Sequence, residues 1–305
     1  GQKRWRFTMS TYNIIASTDE CTVVSEYTPV KKRSDAYQSE AALEEQFIKD
    51  LQSQGYEYIT INTEDYLISN LRKQLEKLND YRFTDSEWKR FFSTSISSSN
   101  DSITEKTKKI QKDHVQNLIR DDNTTKNIRL IDKKDIHNNT LQVINQYTVK
   151  DGIHENRYDV SILVNGLPLV HVELKRRGVE LKEAFNQINR YQNESFWSGS
   201  GLYEYVQIFV ISNGTNTKYY SNTTRSNHIQ EISPGSKNHS KKTSNSFEFT
   251  SFWADGSNRI IPDLLDFTRT FFARHSILNI LTRYCIFDSD DKLLERKSTR
   301  LNSSH

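Results

Sequence analysis

The chain has 305 residues, long for one domain and short for three, with 34 % hydrophobic and 27 % charged residues and a net charge of +3. Its 15 Tyr, 15 Phe and 4 Trp can fill a core despite a mean hydropathy of −0.77, and a mild excess of base permits nucleic-acid binding without arguing for it. Cys21 and Cys285 lie too far apart in sequence to suggest a disulfide framework or a zinc site, and the longest strand-like apolar stretch, residues 206–211, is far too short to span a bilayer, so a cytoplasmic protein with no membrane partner is expected.

Taken in chain order, residues 1–8 are basic, carry Trp5 and Phe7, lack a signal core and precede the sole methionine, Met9; they are expected to be non-native. Residues 9–37 are polar and expected to be irregular, so 1–36 falls outside the folded domain. A helix is expected from Ser39, with Leu43, Phe47, Ile48 and Leu51 at helical spacing and Gly55 as its stop. Residues 56–61 alternate as a strand. Residues 65–78 form a second helix with Leu67, Leu71, Leu75 and Leu78 on one side. A third starts at Thr84, where Thr84 and Glu87 make a capping box and Phe83 staples onto Trp88. Further helix is expected over 104–120, and strands over 128–131 and 141–147.

Residues 158–174 read as two strands about Asn165-Gly166, the strongest short hairpin signal. A helix follows over 180–191 with Leu181, Ala184, Phe185 and Ile188 as its buried stripe, then a buried strand over 206–211, a turn at Asn213-Gly214 and a strand over 218–221. Residues 226–246, rich in Ser, Asn and Lys with Pro234-Gly235, read as a mobile insertion. Residues 261–287 are expected to be helical. The tail from Arg296, RKSTRLNSSH, reads as translated adapter, so 295–305 is expected to be non-native. No internal repeat is present.

Phosphodiester cleavage needs an activated water, charge stabilisation on the phosphate and help for the leaving oxygen; carboxylates holding Mg²⁺, with a lysine nearby, supply much of this. The stretch RYDVSILVNGLPLVHVELK, residues 157–175, offers that set on one hairpin. Glu-x-Lys alone carries no information, since it recurs at Glu87/Lys89, Glu180/Lys182 and Glu295/Lys297. The strand context is what separates Glu173/Lys175. Val160, Ile162, Val164, Val170, Val172 and Leu174 are apolar, whereas Asp159, Ser161, His171, Glu173 and Lys175 share the opposite parity. For both apolar sets to face one core, paired residue numbers must sum to an even number. A three-residue loop, 164–166 or 165–167, does this. A strict two-residue Asn-Gly turn would send His171 and Glu173 inward with the valines, and is rejected on the cost of burying a carboxylate. In either surviving register Asp159 and Glu173 are opposite or diagonal neighbours, a pair that repels unless a cation sits between them.

Most hairpins with such residues carry only a structural ion pair. The next helix shifts the balance, because Gln187 and Tyr191 stand one turn apart on one side of it. The set resembles the Asp…Glu-x-Lys core followed by Gln-x-x-x-Tyr of nucleases of the RecB type. The resemblance extends further. The stretches NRYDVSILVNGLPLVHVELKRRGVELKEAFNQINRY and FVISNGTNTKYYSNTT, with YQSEAALEEQFIKDLQSQGYEYI and FTDSEWKRFF earlier, closely resemble the restriction (HsdR) subunit of type I restriction–modification enzymes, over about Tyr37 to Phe287.

The resemblance implies an α/β fold with a restriction-endonuclease-like core, a mixed sheet flanked by helices, plus additional helices. Residues 37–260 would be the endonuclease domain, and 261–294 a helical segment leading to motor domains. It implies Mg²⁺ as cofactor, Asp159 and Glu173 as metal ligands, Lys175 as catalytic lysine, and Gln187 and Tyr191 as the accessory motif. Glu44, chosen over Glu40, would complete the metal site, and Tyr158 stands where the broader class often has proline. Arg176, Arg177, Lys182 and Arg190 are expected to contact DNA phosphates. Implied partners are double-stranded DNA and the modification and specificity subunits. ATP enters only through the motor domains, since no G-x-x-x-x-G-K-[ST] loop is present; Gly235-Ser-Lys lacks the second glycine. The competing expectations are a non-catalytic assembly or DNA-docking module of the same complex, and a RecB-like repair nuclease.

Overall fold

In the computed structural model, residues 13–18, 21–26, 38–151, 154–222, 245–288 and 293–296 are described. Two strands, β1 (Asn13–Thr18) and β2 (Cys21–Glu26), pair antiparallel where irregular chain was expected; the β-branched runs Ile14-Ile15 and Thr22-Val23-Val24 account for this. Helix α1 (Glu40–Ser53) starts at Ser39, whose hydroxyl accepts from the Ala42 N–H. It buries Leu43, Phe47, Ile48 and Leu51, and ends at Gly55, φ 89°. The expected strand at 56–61 shrinks to β3 (Glu57–Tyr58). Helix α2 (Glu64–Asn79) buries Leu67, Leu71 and Leu75. Helix α3 (Asp85–Phe91) has the Thr84/Glu87 capping box, and the Phe83 and Trp88 rings lie 5.3 Å apart.

The expected helix over 104–120 is corrected to a shorter one, α4 (Ile103–Gln111), followed by β4 (Val115–Ile119), which pairs with β5 (Thr125–Arg129). Val-Gln-Asn-Leu-Ile satisfies either period locally, and pairing with β5 decides it. Then come β6 (Leu141–Asp151), β7 (His154–Val164), β8 (Leu167–Leu174), helix α5 (Leu181–Glu194), β9 (Ile208–Ser212) and β10 (Thr217–Ser221). Residues 223–244, most of the expected insertion, lie outside the described residues, as do 1–12 and 297–305. A short helix, α6 (Asn245–Glu248), precedes β11 (Ser251–Phe252). The continuous helix expected over 261–287 is corrected to α7 (Leu264–Thr270), α8 (Arg274–Asn279) and a π-helical turn to Tyr284, ending in β12 (Cys285–Asp288), which pairs with β13 (Leu293–Arg296). Among the described residues no helix is long and apolar enough to cross a membrane.

Seven strands form one mixed sheet in the order β11-β10-β9-β8-β7-β6-β3, parallel at β8/β9 and β3/β6 and otherwise antiparallel. Helices cover both faces. Successive residues on β10 show it: Tyr219 packs on Phe267 and Phe271 of the α7 layer, whereas Tyr220 packs on Phe185 of α5. This is the restriction-endonuclease-like arrangement of a mixed sheet between helices.

The β7–β8 hairpin corrects the expected loop. Val164 pairs with Leu167, so Asn165-Gly166 is the strict two-residue turn, with φ 50° and 85°. Leu163 pairs with Pro168 but Ile162 with Val170. Leu169 is therefore an extra residue, and from there the paired numbers sum to the even value expected. The bulge does the work assigned to a longer loop. The carboxylate is not spared burial, however: all of β8 is buried, and Glu173 has no exposed surface because α5 lies over its face.

Candidate active site

Three elements meet at the open end of the hairpin. The ends of β7 and β8 bring Asp159 and Glu173-Leu174-Lys175; α5 brings Gln187 and Tyr191; the first turns of α1 bring Glu40 and Glu44. The β7–β8 ladder ends at Val160/Val172; just beyond it Asp159 accepts a hydrogen bond from the Leu174 N–H at 2.9 Å and lies close enough to Glu173 for the two charges to act on each other. A cleft of about 670 Å³ opens on the α1 side, lined among others by Glu40, Glu44, Arg157, Asp159 and Leu174. Asp159 reaches this cleft, while Glu173 sits behind it under α5.

Both carboxyls bind protons unusually tightly. Burial, then the neighbouring Glu173 charge, pushes Asp159 up to about 7. Burial pushes Glu173 up to about 8, with the Lys175 ammonium pulling the other way. The Oε2 atom of Glu173 is buried with no hydrogen-bond partner. His171 Nε2 lies 3.3 Å from it without hydrogen-bonding angles, and burial lowers that imidazole to about 4, so it brings no compensating charge near neutral pH.

Lys175 is held from two sides. Its Nζ donates to Glu173 Oε1 at 3.4 Å and to Gln187 Oε1. The Gln187 amide in turn donates to the Tyr191 hydroxyl, and Tyr191 donates to the Arg157 carbonyl oxygen at 2.8 Å. The i, i+4 spacing on α5 thus becomes a chain of hydrogen bonds from β7 to the lysine. Tyr191 is buried and its phenol is pushed up to about 12, chiefly by burial and then by the Glu173 charge, so it serves as a donor.

The remaining expected residues spread more widely. Glu44 accepts from the side-chain amides of Asn145 and Gln146, while Glu40 accepts from the Arg176 N–H at 3.2 Å; both line the cleft. Arg176 is exposed. Arg177 is half-buried against the Gly214 turn, with its Nε buried and unpartnered. Arg190 lies over the Tyr191 ring at 5.4 Å and 4.0 Å from Glu194. Lys182 is half-buried on the first turn of α5. Asn145 and Gln146 went unnoticed in the sequence, where they are two polar residues in a strand. Tyr158, with its ring against His171, Phe196 and Tyr203, joins an aromatic layer behind the site.

The group implied for this site is a hard divalent cation, and the donor set bears on it directly. Among the described residues no three His, Cys, Asp or Glu side chains are gathered as a ready-made cage. Two adjoining carboxyls with elevated proton affinity and one orphaned oxygen nevertheless fit Mg²⁺, which commonly takes one or two carboxylates and completes its shell with water and phosphate oxygens.

Residues 37–228 match the family described as type I restriction enzyme R protein N terminus. The chain is 46 % identical over 281 residues to the type I restriction enzyme EcoprrI endonuclease subunit of Escherichia coli, covering 92 % of this chain and 84 % of that protein. It is 36 % identical over 263 residues to the SsaAORF53P endonuclease subunit of Staphylococcus saprophyticus, and 37 % over 264 to the SauMSSORF170P subunit of Staphylococcus aureus. These matches cover 85 % of this chain but only 25 % and 26 % of the staphylococcal proteins.

Proposed function

We propose, from the premise that the chain belongs to the family of type I restriction enzyme R protein N termini, that it is the part of such a subunit that hydrolyses DNA phosphodiester bonds with Mg²⁺. The observation that carries this is the held lysine: Lys175 Nζ is fixed by Glu173 and by the Gln187–Tyr191 chain at the margin of two high-pKa carboxyls. Bare ion pairing with Glu173 would not require two further side chains, Gln187 and Tyr191, to aim one ammonium.

Asp159 and Glu173 would hold the cation, which when bound draws charge from the phosphate. An ammonium has three N–H donors. Two are committed to Glu173 and Gln187, leaving one for the attacking water or a phosphate oxygen. Gln187 and Tyr191 restrict that donor to one direction, and the buried aromatic layer around Tyr158 keeps bulk water from the rear of the site. Arg176 and Arg177, directly after Lys175, would bind flanking phosphates, with Lys182 and Arg190 further out on α5. In the whole subunit, cleavage would follow ATP-driven translocation by motor domains, within a complex that includes modification and specificity subunits on double-stranded DNA in the cytoplasm.

The test is the Lys175→Ala subunit in the reconstituted complex. Double-strand cleavage should be lost while ATP hydrolysis and translocation continue. Parallel loss of all three would make the hairpin an assembly element instead.

A further inference from the structure

The hydrogen-bond chain that aims Lys175 has a second end. The Gln187 amide donates to the Tyr191 hydroxyl, and Tyr191 donates to the Arg157 carbonyl oxygen at 2.8 Å. One turn of α5 therefore holds the Lys175 ammonium at one end and the backbone that carries Arg157 at the other. Arg157 and Asp159 flank Tyr158 on β7. The Tyr158 ring enters the aromatic layer with Phe196 and Tyr203, so by strand alternation its two neighbours face the other way. Both line the cleft of about 670 Å³ on the α1 side.

The charges of that cleft leave one group over. Its four carboxylates are each engaged: Glu40 by the Arg176 N–H, Glu44 by two side-chain amides, Glu45 by Lys49 and Asp159 by the Leu174 N–H. Its two cations are Lys49, which is paired with Glu45, and Arg157. Arg157 is exposed, and among the described residues its guanidinium makes no hydrogen bond or ion pair. An arginine that shares a cleft with four acids and pairs with none keeps five N–H donors, in a planar fork, for a ligand. A phosphodiester group matches that fork, because its two free oxygens accept parallel N–H bonds.

We propose that Arg157 is a substrate-binding residue: its guanidinium takes a backbone phosphate of the DNA strand that enters the α1-side cleft, and Gln187 and Tyr191 fix the spacing between this cation and Lys175. The inference rests on the nuclease reading above and adds to it a phosphate contact on the Asp159 side of the hairpin. Arg176 and Arg177 follow Lys175 at the other strand end, and Lys182 and Arg190 stand on α5. Because one rigid helix turn sets both cations, a phosphate held by Arg157 is presented at a fixed offset from the ammonium.

The experiment compares Arg157→Ala, Arg157→Gln and Arg157→Lys subunits in the reconstituted complex. The Ala and Gln variants should cut DNA about 10- to 100-fold more slowly, the scale of one lost hydrogen bond to a charged group, with ATP hydrolysis and translocation at parental rates. Lysine keeps the charge without the fork and should recover part of the loss. The slope of log cleavage rate against log salt, referred to the translocation rate, should become shallower by about 1 in the Ala and Gln variants, since one phosphate contact is gone. A side chain that only shapes the hairpin would leave that slope alone. Unchanged cleavage, an equal loss in the Lys and Gln variants, or an unchanged slope overturns the inference. Parallel loss of ATP hydrolysis in all three variants overturns it as well, making Arg157 an assembly residue. If Lys175→Ala cuts at the parental rate, the nuclease reading itself fails, a distinguishable result.

Discussion

The two ends of the β7–β8 hairpin are built on opposite principles. At the turn, the polar side chain is fully engaged: the buried Asn165 amide donates to the Leu130 carbonyl and to Asn139 and accepts from the Thr140 N–H, and Gly166 presses against the Leu71 backbone. At the other end, Glu173 Oε2 and both His171 nitrogens are buried without partners, and two carboxyls are held near each other. One end stabilises; the other stores unfavourable electrostatics that a cation and a phosphate can relieve. A single hairpin thus separates folding from chemistry along about seven residues of each strand.

The sharpest way to break that contrast is at the end proposed to be catalytic. Lys175→Ala should lower cleavage at least about 100-fold, the scale for losing one aimed donor to a developing charge, while the melting temperature stays close to the parent. A large fall in thermal stability would erase the distinction between the ends. Gly166→Ala probes the other end. Its Cβ would stand 2.6 Å from Leu71 Cα at φ 85°, so a loss of about 3 kcal/mol in denaturant unfolding is expected. Smaller still is the accessory chain: Gln187→Ala should cost roughly 10-fold in activity, and Tyr191→Phe should share rather than add to that loss, as a double-mutant cycle would show.

Proton linkage sharpens the comparison further. Asp159 and Glu173 both have folded-state values above the ordinary carboxylate range of about 4, so the metal-free chain binds more protons than the unfolded chain between that range and about 7 to 8. Their contribution to stability is complete below about pH 4 and is lost as pH rises through those folded values. Metal-free thermal unfolding should therefore show Glu173→Gln gaining on the parent as pH increases from 5 to 9, and Mg²⁺ affinity of the parent should rise over the same span. A flat difference between the two proteins would mean that Glu173 is not held protonated. The smallest effect belongs to Arg176→Ala, which should reduce the salt slope of DNA binding by about 1 without changing sequence preference.

Much of this architecture was legible because it is local. The Thr84/Glu87 capping box, the Ser39 start of α1 and the α5 stripe each rest on residues three or four apart, and each forms as expected. That Gln187 and Tyr191 share one side of α5 was legible from their spacing; that this side meets Lys175 was not. Local signals failed where two periods fit one segment, as at residues 115–119, and where a compensating residue was invisible. Nothing in Leu163-to-Val170 announces that Leu169 bulges; the bulge exists because both hairpin faces are buried and the Asn-Gly turn prefers two residues.

By itself, the sequence determined the hairpin and the helix that follows it, because chain periodicity and turn chemistry act within a few residues. Only the tertiary structure decided their environment. The amides that clamp Glu44 lie 101 and 102 residues away from it, and the sealing of Glu173 depends on α5 folding back over β8. Proton affinity is set by the medium around a group, and that medium exists only after distant elements have packed.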